Sequence, residues 1–158
     1  MRNFDMLVKL YDLPPYQELN KDLESEGIEI HRPLVSDKEK LLDYVKTNFS
    51  DAWKNECEAA FFHTPISCFV ATKNHKEIVG FSCYDVSYRN FFGPIGVDEH
   101  FRGKKIGKEL LLTALYAMRE EGYAYAIVGW SAEKNESFYN KVAGAVEIPD
   151  SFPGVYKI

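Results

Sequence analysis

Apolar positions along the chain fall into stretches of two different periods. From about Lys104 to Glu121 they recur with helical spacing, and Ile106, Leu110, Leu111, Ala114, Leu115 and Met118 share one stripe. Gly122 stands where such a helix stops. Alternating or continuous apolar runs predict strands at IEIHR (28–32), ISCFVAT (66–72), IVGFSCYDVSY (78–88), FFGPIGV (91–97) and YAYAIVGW (123–130). AVEI (145–148) and FPGVYKI (152–158) predict two closing strands. The polar turn KNHKE joins the second and third runs as a loose hairpin. Pro94 cannot donate to a ladder, so its strand is expected to bulge or to leave its pairing open there.

Polar segments with capping signals lie between these runs. Ser36 with Glu39 reads as a capping box ahead of Leu41, Leu42 and Val45. Ser50 or Asp51 caps a second helix, DAWKNECEAAFF, that Pro65 ends. ESFYNKVAG reads as a short helix closed by Gly144. The opening stretch holds an extended piece, MLVKLYDLPP, and a polar helix, PYQELNKDLESEG. The strand–helix–strand step over residues 91–130 implies a parallel pair joined by a right-handed crossover, while the strands before it look antiparallel. The fold class is therefore α/β (α+β), with a mixed sheet.

Composition narrows the function classes. A chain of 158 residues, 46% hydrophobic, has enough apolar content for one ordinary core. Its formal net charge of −5 argues against non-specific nucleic-acid binding, which needs clustered cations to displace counterions. The three cysteines, Cys57, Cys68 and Cys83, form no CxxC pair, and the two in strand-like runs suit buried free thiols in a reducing compartment. No signal peptide or membrane-length apolar run is visible, so a cytoplasmic protein without membrane partners is expected.

Against that acidic background, residues 102–108 read RGKKIGK at the start of the long helix. A Walker A loop needs GxxxxGK followed by Ser or Thr, but Gly103 and Gly107 are four apart and Glu109 follows Lys108. The GxGxxG of a dinucleotide fold is absent too. What remains is a helix N-terminus with about four free N–H groups and roughly half a positive charge. Arg102, Lys104, Lys105 and Lys108 add to it, a combination able to hold a pyrophosphate.

Arg102-Gly-Lys-Lys-Ile-Gly107 resembles the pyrophosphate loop of the GNAT superfamily of acyl-CoA-dependent N-acyltransferases, with Lys105 where a glycine is commonest. Phe138-Tyr-Asn-Lys-Val-Ala-Gly144 resembles the family's tyrosine helix, one residue longer before its glycine. FFGPIGV, the loop, AMREEGYAYAIVGW and FYNKVAGA are similar to segments of a bacterial subgroup. The resemblance runs from about residue 28 to 158, making residues 1–27 an N-terminal extension of strand and helix. It implies a GNAT-like, mostly antiparallel sheet with a central splayed parallel pair flanked by helices.

The resemblance also implies chemistry. Acetyl-CoA is the cosubstrate, no metal is needed, and a primary amine, on a small molecule rather than a protein, attacks the thioester directly. Ile95, Gly96, Val97, Arg102, Gly103, Lys104, Lys105, Ile106, Gly107, Lys108, Asn135 and Tyr139 are the implied cofactor contacts. Lys105 must then adopt a helix-start conformation with its side chain outward. The Val97 N–H is the implied oxyanion donor, and Tyr139 the implied general acid for the thiolate. The family's glutamate falls near Phe91, which cannot serve as a base. Glu99, Asp85, Tyr84 and His63 remain as bases acting through water. Trp53, Phe61, Phe62, Tyr84 and Tyr88 are candidates for an acceptor pocket. The missing glutamate also fits a catalytically idle acyl-CoA-binding or regulatory module, and a homodimer stays open.

Overall fold

A computed structural model describes residues 2–157. Among these, one seven-stranded sheet contains β1 (Asn3–Lys9), β2 (Ile28–His31), β3 (Cys68–Lys73), β4 (Glu77–Tyr84), β5 (Phe91–Val97), β6 (Tyr125–Ala132) and β7 (Val146–Glu147). The helices are α1 (Gln17–Ser25), α2 (Lys38–Asn48), α3 (Asp51–Ala59), α4 (Ile106–Glu120) and α5 (Glu136–Ala143). Spatial order across the sheet is β2-β3-β4-β5-β6-β1-β7. Only β5 and β6 run parallel; the other pairs are antiparallel. The mixed sheet with one parallel pair, flanked by helices, is the architecture expected above. No helix among the described residues is long and apolar enough to cross a membrane.

Each face of the sheet carries its own apolar cluster, because neighbouring strand residues point to opposite sides. On one face α4 buries Ile106, Leu110, Leu111, Leu115 and Met118 against Phe69, Val79, Phe92 and Val128. Each fully buried aliphatic side chain there contributes about 1.5–3 kcal/mol. On the other face α2 and α3 set Leu41, Leu42, Val45 and Cys57 against Cys68, Val70, Phe81 and Cys83. The Ser82 hydroxyl, buried beneath α4, donates to the Leu110 carbonyl at 3.0 Å and ties helix to sheet.

Several local expectations are corrected. Ser36 does not cap α2. The chain enters that helix through a 3-10 turn, Val35–Asp37, and the Asp37 carboxylate takes the Leu34 N–H at 2.9 Å. Ser50 does cap α3, accepting the Trp53 N–H at 3.1 Å. The helix expected from about Lys104 to Glu121 is found, spanning Ile106–Glu120. Residues 152–157 form turns rather than a closing strand, because a left-handed Gly154 (φ +57°) and Pro153 bend the chain back across the sheet. Residues 3–9 pair with both β6 and β7, so the opening strand lies inside the sheet.

Candidate active site

The site begins where the parallel pair fails. β5 pairs with β6 only at Phe91–Ile127 and Phe92–Val128; from Gly93 onward no partner remains on that side. Gly93 takes φ +122°, a conformation open to glycine, and the β4–β5 register slips between Ser82 and Tyr84. The strands splay there, and a cavity of about 1180 Å³ fills the gap. Residues 92–97 of β5 form one wall and 128–132 of β6 the other.

Backbone register sets what β5 presents to this gap. The Asp98 N–H donates to the Val79 carbonyl at 2.8 Å, and Val97 stands opposite Gly80. That makes Gly80–Val97 a non-hydrogen-bonded pair, whose N–H and C=O groups point away from each other. The Val97 N–H therefore faces the gap, and so does that of Ile95, two residues earlier. Gly96 is needed for packing, since a Cβ there would lie 2.5 Å from the Phe49 ring.

Past Val97 the chain turns into α4 through the basic loop. Arg102 Nε donates to the Val97 carbonyl at 3.4 Å. Gly103 takes φ +85°. Lys105 is not in a helix-start conformation; it is left-handed, at φ 68° and ψ 17°. This corrects the expectation and explains why glycine suits the position, since an L-residue there carries about 1–2 kcal/mol of steric cost. Arg102, Gly103, Lys105, Ile106, Gly107 and Lys108 all line the cavity. Lys104 does not, and pairs instead with Glu26 after α1 at 3.4 Å. Lys134, from the turn before α5, is a further cation on the lining. The first turn of α4, with its free amides, thus meets a cavity wall carrying four cationic side chains.

On the α5 side Asn135, Phe138 and Tyr139 close the cavity. Tyr139 is buried, and burial pushes its hydroxyl up to about 12. It stays protonated at any pH where the protein would work.

Opposite the basic loop, the acceptor-side expectations divide. Trp53 lines the cavity; Phe61, Tyr84 and Tyr88 do not. Tyr84 is fully buried, accepting from Arg32 at 2.8 Å and donating to Glu121. Phe61 packs against the α2–α3 cluster, and Tyr88 lies exposed, edge-on to Phe91. Phe62 is exposed, beside Lys38. Among the water-relayed bases, His63 bonds the Asp85 carbonyl at 3.0 Å, and the Asp85 carboxylate takes the Asn90 N–H and the Tyr123 hydroxyl. None of Glu99, Asp85, Tyr84 and His63 reaches the cavity.

Glu56, Ser87, Trp130 and Tyr156, absent from the expectations, are among the residues that do. Ser87 donates to Glu56 Oε2 at 2.7 Å. Tyr156 covers Gly129, where a Cβ would meet its hydroxyl at 2.2 Å. Trp130 holds φ 46°, an outlier for so large a residue. Its N–H donates to the buried Asp5 carboxylate at 2.9 Å, and its ring meets Tyr156 edge-on at 4.9 Å. Glu56 had one readable signal: it lies one turn beyond Trp53 on the same helix. Trp130 and Tyr156 had none, because they depend on a C-terminal segment that folds back from far along the chain.

The three cysteines also come together. Their sulfurs lie within 4.8 Å of one another, and Cys68 faces Cys83 across β3 and β4. The neighbouring thiols of Cys68 and Cys83 pull the Cys57 thiol down, while burial pushes the other two up. This trio is the sole close set of metal-type donors among the described residues. It sits in the α2–α3 core and does not line the cavity.

The family model for acetyltransferases of the GNAT family matches residues 38–145. No curated protein matches the chain. Solved structures do. A GCN5-related N-acetyltransferase from Sphaerobacter thermophilus is similar at a TM-score of 0.72 and 19% identity, over 92% of this chain and 48% of that one. The glucosamine N-acetyltransferase region of a fungal multi-domain β-N-acetylglucosaminidase is similar at 0.75 and 15%, over 92% of this chain and 20% of that one. This chain therefore spans less than half the length of either. A Brucella melitensis GNAT acetyltransferase in complex with acetyl-CoA is similar at 0.54 and 14%, over 72% of this chain and 82% of that one. At these identities the likeness is one of fold.

Proposed function

We infer the function from one premise: the chain belongs to the acetyltransferase (GNAT) family. On that premise it moves an acetyl group from acetyl-CoA to a primary amine of a small molecule, by direct attack on the thioester. The observation that carries this reading is the splayed β5–β6 pair, which opens at one end on the cationic turn into α4. The turn supplies free amides and the charges of Arg102, Lys105 and Lys108 for a pyrophosphate. The unpaired edge of β5 at Ile95 and Val97 offers amide groups to a pantetheine arm.

Within that arrangement the Val97 N–H donates to the carbonyl oxygen as charge develops on it. The Tyr139 hydroxyl donates to the departing thiolate. The attacking amine must be neutral, and a lysine-like amine with pKa near 10.4 is about one part in a thousand neutral at pH 7. Making it so costs roughly 4 kcal/mol, which a base or a desolvating pocket must offset.

The test is thioester cleavage, followed with a thiol reagent across a panel of small amines. Amine-dependent release of CoA thiol, with acetylated amine found by mass, is the expected result. Tight acetyl-CoA binding with no release for any amine would instead mark an idle acyl-CoA-binding module.

A further inference from the structure

Among the charged side chains lining the cavity, Glu56 is the single carboxylate; Arg102, Lys105, Lys108 and Lys134 are all cations. The cations gather toward the α4 turn and α5. Glu56 lies on α3, and its Ser87 partner precedes β5. The two signs therefore sit at opposite ends of β5. Ser87 occupies one oxygen of the carboxylate, leaving Oε1 for a ligand. Trp53, Trp130 and Tyr156 wall the same end with aromatic faces, which attract cations.

Spacing separates this carboxylate from the reaction centre. Phe49 packs against Gly96, next to Val97, and Trp53 lies 5.4 Å from Phe49, centroid to centroid. Glu56 is one helical turn, about 5 Å, further on. Its partner Ser87 precedes Phe91, and Val97 lies six residues further along β5, about 20 Å at strand rise, far beyond the roughly 3 Å reach of direct proton transfer. A cation held at Glu56 is therefore not the amine that attacks.

We propose that the Glu56–Ser87 pair, walled by Trp53, Trp130 and Tyr156, binds a second cationic group of the acceptor, making the substrate an extended diamine or short polyamine. The proposal rests on the acetyl-transfer reading above. One end of the acceptor reaches the thioester as a neutral amine. The other stays an ammonium at Glu56, with an apolar chain between them along the aromatic wall. No proton leaves that distal group; at the other end one N–C bond forms and one S–C bond breaks, the electron pair leaves on sulfur, and the proton lost by the attacking nitrogen passes through water to the thiolate, giving the amide and CoA thiol.

Two measurements test it. The chain's two tryptophans are Trp53 and Trp130, both on this wall, so intrinsic fluorescence reports acceptor binding without turnover. With CoA present, α,ω-diamines of increasing chain length are expected to change that fluorescence at lower concentration than monoamines of equal length. With acetyl-CoA, the best diamine is expected to exceed its monoamine in kcat/KM by about ten- to a hundredfold, the usual range for one hydrogen bond to a charged group. Glu56→Gln, which can still accept from Ser87, is expected to remove most of that preference through a higher KM for the diamine. Glu56→Lys is expected to exclude diamines altogether, and thermal melts of both variants identify any failure to fold. If wild type treats diamines and monoamines alike, or Glu56→Gln keeps the preference, the proposal is overturned. If acetyl-CoA itself does not bind in calorimetry, the acetyl-transfer reading fails first.

Discussion

Tyr139 shows how a single environment decides a chemical role. A free thiol titrates near 8.5, whereas burial holds the Tyr139 hydroxyl near 12. Handing its proton to a thiolate would run about 3.5 units uphill, roughly 5 kcal/mol. A hydrogen bond to the same thiolate contributes about 1.5–3 kcal/mol without moving the proton. On that balance we propose that Tyr139 serves the thiolate by hydrogen bonding and not as its general acid. Tyr139→Phe is expected to lower kcat by about ten- to a hundredfold, less than a lost general acid would cost. The wild-type pH–rate profile should show no alkaline limb from this group below about pH 11. An unchanged kcat removes Tyr139 from the chemistry. A thousandfold loss with an alkaline limb near pH 9 restores it as the acid.

Elements differ in how openly the chain announces them. The α4 stripe is read directly, because six apolar residues repeat at 3.6 spacing over a long run. The irregularity of β5 was also legible, since Pro94 after Gly93 has no N–H for a ladder, and the β4–β5 register slips there. The inner position of β1 was not, because its partners lie more than a hundred residues away and strand pairing leaves no local mark. Nor was the irregular run 152–157, whose alternation mimics a strand while Pro153 and Gly154 turn it. Among the helices α3 matters most for the proposed acceptor end, since it carries both Trp53 and Glu56. Its first turn is held by Ser50, which accepts the Trp53 N–H. Ser50→Ala is expected to cost about 1 kcal/mol of stability. Its sharper effect should be a raised acceptor KM with acetyl-CoA affinity preserved, because the basic turn belongs to α4. Equal losses in both affinities would show that the cap supports the fold and not the acceptor end in particular.

At the scale of the whole molecule, legibility follows chain distance. The half of the cavity beside the basic turn draws on one strand, one turn and two helices within residues 91–139, so motif spacing could point to its lining. The opposite half of the cavity, the proposed acceptor end, gathers α3, the segment before β5, β6 and the C-terminal turn, and it exists only after folding. Glu109 shows the same split between local and folded information. It stands two residues past Gly107 with nothing in its neighbours to mark it, and it is buried on α4 with Glu24 of α1 nearby. Burial, and then Glu24, push its carboxyl up from 4.5 to about 7. Between those values the unfolded chain has released a proton that the folded protein keeps. Stability is therefore fully present below about pH 4.5, falls as pH rises toward 7, and is flat above. A shift of about 2.5 units corresponds to roughly 3 kcal/mol. Glu109→Gln removes the titration while keeping the side chain's shape. Its melting temperature should exceed wild type by several degrees at about pH 8, and match it at about pH 4. A difference of the same size at both pH values would mean that packing, and not the buried charge, separates the two proteins.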